Sequence, residues 1–136
     1  MFAICFIMCL DCKKSPASGS SSPIAGTWLM VREISIDPMV DTVFTAANSP
    51  TTMVATDDSI FYYYSDSACY SIISISYELL SDKIVMKGGI YLDTAEYTLE
   101  NGQLVIDHTS YGSIEGYTSY SGQPVLAHWP QQRCIY

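Results

Sequence analysis

Basic side chains are scarce in this sequence: 6 Lys and Arg stand against 14 Asp and Glu, giving a formal net charge of −8. A domain this acidic repels phosphate backbones, so nucleic acid is excluded as a partner. Long apolar runs are also missing, and nothing approaches the ~20 residues a helix needs to span a bilayer. Histidine occurs only at His108 and His128. Asp107 precedes His108, but neighbours on a strand point to opposite faces and do not form a dyad. The chain has no GxSxG, HExxH, phosphate-loop or dinucleotide fingerprint. It therefore offers no catalytic residue and no cofactor, and reads as a non-enzyme. Metal binding has little support either. Cys9 and Cys12 have CxxC spacing without a second pair, and Asp57, Asp58 and Asp66 suit turns for backbone reasons.

What is abundant is apolar and aromatic. Hydrophobic residues make up 49%, charged ones only 15%, and Tyr occurs 11 times, enough for a packed core in one domain plus a leader. Met1–Leu10 is almost wholly apolar and of signal-peptide core length, and residues 13–23 form a Lys-, Ser- and Pro-bearing flexible tether. An apolar block, Cys12 and a polar tether resemble the start of a bacterial lipoprotein whose lipidated cysteine becomes the mature N-terminus, with Cys9 as the alternative lipid site. Such an anchor would place residues 24–136 in the cell envelope, at the outer membrane or on a periplasmic face. Cys69 and Cys134 remain. They either pair in that oxidising compartment or stay as separate buried thiols.

The domain reads as strands. Gly26–Ile36 is rich in β-branched residues and bounded by Gly26 and Pro38. At period two Trp28, Met30, Arg32, Ile34 and Ile36 share a face, with Trp28 the strongest core candidate. Residues 39–46 read as a short strand or an irregular crossing. Met53–Thr56 and Ser59–Tyr64 form a hairpin about Asp57-Asp58. The segment 68–80 alternates cleanly, with Ile73, Ile75, Tyr77 and Leu79 on one face. Strands at 83–87 and 90–99 follow. Asn101-Gly102 then gives the strongest hairpin signal, since a type I′ turn needs positive φ at both central residues. It leads into 103–108. Residues 111–120 are Gly-, Ser- and Tyr-rich and read as a loop or weak strand, while 125–129 and 133–136 read as the closing elements. About eight strands and no helix predict an all-β fold, an antiparallel up-and-down β-barrel or, alternatively, an open β-sandwich.

Ile24-Ala25-Gly26-Thr27-Trp28 opening the first strand, together with Tyr97-Thr98-Leu99 and Leu104-Val105-Ile106 flanking the Asn-Gly turn, resembles the lipocalin-like domains of Bacteroidota lipoproteins. The resemblance implies a lipocalin-like barrel with Trp28 at its closed end, covered by an arginine from the last strand. Arg133 is the only candidate for that arginine. It also implies a small hydrophobic or amphipathic ligand.

Tyr62, Tyr64, Tyr77 and Tyr97 are the candidate ligand-binding residues. Together with Tyr70 and Tyr91 they either pack the barrel or line a cavity with rings and hydroxyl handles. The competing reading is an interaction module that presents its loops, especially 111–120, to an envelope protein or glycan. A hollow interior favours the first and a filled one the second. Catalysis would require His108 or His128 to sit in a pocket beside a carboxylate or hydroxyl.

Overall fold

The computed structural model describes residues 21–65, 69–108, 111–121 and 133–134. The leader, Cys12, most of the tether, His128 and the strand expected at 125–129 lie outside them. Nine strands follow one another: β1 Gly26–Ile36, β2 Met39–Val43, β3 Thr51–Ala55, β4 Ser59–Ser65, β5 Tyr70–Leu79, β6 Lys83–Gly88, β7 Tyr91–Glu100, β8 Gln103–His108 and β9 Ser113–Ser119. All pair antiparallel.

β9 returns to β1, from Trp28↔Ser119 to Ser35↔Ser113, and closes the sheet. A closed sheet has no free edges, and this pairing decides for the barrel over the open sandwich. The closing strand is β9, whose sequence reads as a loop or weak strand; of the tail, described Arg133 makes an isolated parallel bridge to Tyr70. Eight strands form the barrel. β2 is the extra one, stacked above β3 along the same edge of β1, with β2 on Arg32–Ile36 and β3 on Gly26–Leu29. Between them the chain swings out and back. Its return is fixed by buried Ser49, whose hydroxyl donates to Met30 O at 2.7 Å.

The expected single face of β1 holds only for its lower half. Trp28 and Met30 are buried, but a register shift between Met30 and Arg32 breaks the period. Beyond it Arg32 points outward to pair with Asp41 at 2.6 Å and Ile36 is exposed. Gly116 of β9 sits opposite this shift, where a Cβ would already meet the Arg32 Cβ at 3.4 Å.

The barrel is closed at the end where β1 begins. Ile24 is fully buried there, and its carbonyl accepts the Trp28 indole N–H at 2.8 Å. Tyr77 donates to the Ser22 hydroxyl or to Thr56 O, at 2.6 and 2.5 Å. Met53, Ile60, Ile84, Leu104 and Ile106 pack above this plug with no exposure. The Asn101-Gly102 turn, with φ of 53° and 72°, lies at the same end. At the opposite end a disulfide joins Cys69 to Cys134.

Candidate functional site

The lower half of the barrel is filled and the upper half is hollow. Above the layer of Ile84 and Ile106 a cavity of about 360 Å³ opens toward the mouth, at the low end of volumes typical for small-molecule sites. Its walls are Tyr62, Tyr64 and Tyr91 on one side of the ledger and Ile73, Ile75 and Met86 on the other, with His108 and Glu115 as polar groups. Tyr62 and Tyr64 are two steps apart on β4, so both face inward, and their rings stack at 5.8 Å. Gly88 contributes space: a Cβ there would lie 2.6 Å from Ile75 Cγ2.

The polar groups form one network, built from the ladder. Continuing one step past Glu96↔Asp107 sets His108 beside Ala95, with Asp93 the next inward residue along β7. On its other side β8 pairs His108 with Ser113, and Glu115 is two residues further along β9. His108 thus stands on the middle strand between two acids. Its Nδ1 lies 2.5 Å from Asp93 Oδ2 and its Nε2 3.4 Å from Glu115 Oε2. Tyr91 donates to Asp93 Oδ2 at 3.3 Å, and Tyr117 donates to Glu115 Oε2 at 2.6 Å.

Carboxylate oxygens at both ring nitrogens are satisfied together only by the doubly protonated imidazolium. Burial alone would lower the His108 pKa, but the hydrogen bonds and charges of Glu115, then Asp93, outweigh it and raise it. Burial, then the Glu115 charge, pushes the Tyr62 and Tyr117 hydroxyls well up, and burial followed by Asp93 pushes Tyr91 up to about 12. All three stay neutral donors near pH 7.

Among the expected site residues, Tyr62 and Tyr64 line the cavity. Tyr77 and Tyr97 do not. They lie in the right phase of β5 and β7 but too low: Tyr77 is committed to the closed end, and Tyr97 packs against the core. Trp28 is at the closed end as the resemblance implies. Arg133 does not cover it, being exposed beside Tyr70 at the mouth end, facing a separate recess with Ser71 and Ile72. The indole finds its partner in the Ile24 carbonyl instead. Asp93 and Glu115 escape sequence reasoning. The available signal is phase, since Asp93 falls on the face of Ala95 and Tyr97, and His108 on that of Leu104 and Ile106.

No family model and no curated protein matches the sequence. Two solved structures match in fold. A lipocalin-like protein from Bacteroides uniformis superposes with a TM-score of 0.58 at 10% identity, covering 71% of this chain and 97% of that one. An uncharacterized protein from Bacteroides eggerthii gives 0.55 at 12% identity, covering 71% and 98%. With its closed meander, plugged lower end and open cup, the chain folds as a lipocalin-like β-barrel.

Proposed function

We propose that the protein is an exported lipoprotein, anchored in the cell envelope through Cys12, that binds a small hydrophobic or amphipathic molecule in the barrel cup. The observation that carries the reading is the division of the barrel into a packed floor and a hollow, tyrosine-walled upper half. The mouth supports it: Ile73 of the cavity wall is 49% exposed, and Ile90, in the turn between the lining residues Gly88 and Tyr91, is wholly so, an apolar lip. Binding is favoured over catalysis although His108 does lie in a pocket beside carboxylates. Both its nitrogens are already engaged, whereas a general base needs a free one within reach of substrate. The loop-presenting module loses support because most of 111–120 is β9, inside the sheet.

The test is titration of the purified protein with N-phenyl-1-naphthylamine, a neutral dye that brightens in apolar surroundings. Binding is expected to saturate at one site and to weaken at least roughly tenfold in Ile73→Asp, where a charge enters the apolar mouth at a half-exposed position that folding tolerates. Absence of dye binding, or equal binding by the variant, refutes the cup.

A further inference from the structure

The cup is chemically one-sided. Glu115 is the carboxylate that lines it, beside the His108 imidazolium, with Asp93 buried behind. None of the described Lys or Arg residues lines it. Arg32 is on the outside with Asp41, and Arg133 faces the separate recess. An anionic headgroup entering the cup would therefore meet Glu115 with no free base among the described residues to receive it. Glu115 is the more exposed of the two carboxylates, with 19% of its side chain accessible against 1% for Asp93. Both its contacts fall on Oε2, and Oε1 has no partner among the described residues. Above it stand the rings of Tyr62, Tyr64 and Tyr91, whose faces are electron-rich. Ile73, level with Tyr62 on the neighbouring strand, and Ile90 in the turn between Gly88 and Tyr91 supply an apolar wall and rim.

From this set of groups, and resting on the cup reading above, we infer that the ligand is an amphipathic cation: an ammonium head seated beside Glu115 among the tyrosine rings, with an apolar tail leaving over Ile73 and Ile90. The head gains a carboxylate and ring faces in a partly desolvated site, where cation–π attraction is stronger than in open water. The tail gains the apolar lip. A neutral molecule of the same length gains only the second.

The experiment is competition against bound N-phenyl-1-naphthylamine by three ten-carbon probes below their micelle concentrations: decyltrimethylammonium, decanol and decanoate. Salt is held at 0.15 M, where the Debye length of about 8 Å screens the bulk charge of the protein. Decyltrimethylammonium is expected to displace the dye at roughly tenfold lower concentration than decanol, with decanoate the weakest. In Glu115→Gln, which keeps the side chain's shape and its acceptor for Tyr117, the advantage of the cation over decanol, each corrected for the variant's own dye affinity, should shrink to within about threefold. A cation no better than decanol, a decanoate that wins, or a cation advantage that survives Glu115→Gln each overturns the inference and leaves the cup intact. Failure of the dye itself to bind removes the cup and the inference together.

Discussion

Replacing Asp93 and His108 singly and together separates what this buried pair does for the fold from what it does for the cup. Their side chains are 1% and 8% exposed and lie 2.5 Å apart. In His108→Phe the ring volume stays, but Asp93 keeps a buried charge without its base. In Asp93→Leu the imidazole retains only the longer contact to Glu115. Removing one partner of a buried ion pair costs about 3–5 kcal/mol, whereas exchanging both for apolar groups of similar volume is often neutral or stabilising by ~1–4 kcal/mol. Unfolding entropy near 2.1 cal/mol/K per residue gives roughly 0.24 kcal/mol/K for a domain of about 115 residues. Each single variant should thus melt about 12–20 °C lower, and the double variant should melt at or above the wild type. The assay is calorimetry at pH 6, with urea denaturation to obtain the free energies and close the cycle. Singles that cost under ~1 kcal/mol, or a double as damaged as the sum of its parts, would refute the claim that the network is held at the expense of stability.

Three further outcomes follow from the geometry. Trp28→Ala should cost about 3–5 kcal/mol, because it empties the closed end and orphans the Ile24 carbonyl, while Trp28→Phe, which loses mainly the hydrogen bond, should cost about 1–2 kcal/mol in urea denaturation. Because the His108 pKa is raised on folding, its contribution is fully present below the unfolded value near 6.5 and is lost as pH rises through the folded value. Melting temperature should accordingly fall as pH rises above the unfolded value near 6.5 in the wild type and lose that component in His108→Gln. The Cys69–Cys134 bridge spans 65 residues, for which chain entropy predicts about 4 kcal/mol, so Cys69→Ser/Cys134→Ser should show that loss against the oxidised protein.

The legible parts of the sequence were those where local rule and tertiary role agree. Asn101-Gly102 announces its hairpin because the turn demands positive φ, and it carries β7 and β8 into register with it. The alternation of β5 is visible because Ile73, Ile75 and Tyr77 all face inward, from mouth to closed end. β9 is opaque for the opposite reason: two of its inward positions are Glu115 and Tyr117, chosen for the network and not for apolar periodicity. The upper half of β1 misleads because a register shift beyond Met30 re-aims the side chains, which period-two counting cannot detect. His108 attracts notice beside Asp107, yet its partners come from the flanking strands. Asp93 announces itself only as an acid in an otherwise apolar phase. Tyr77 and Tyr97 show the remaining gap, since phase tells that a ring points inward but not at which height along the barrel it sits.

The attachment of Ser22 and Ile24 to the plugged end has a directional consequence. The polypeptide enters the barrel at the pole opposite its mouth, with Ser22 held by Asp57 and Tyr77. An attachment on the N-terminal side therefore reaches the domain at its base, leaving the rim free to face solvent. On the proposed cup reading, a ligand can then be taken up from the surrounding aqueous space, where its monomeric solubility sets the supply. A short-chain cation, soluble yet surface-active, suits that route better than a water-insoluble lipid.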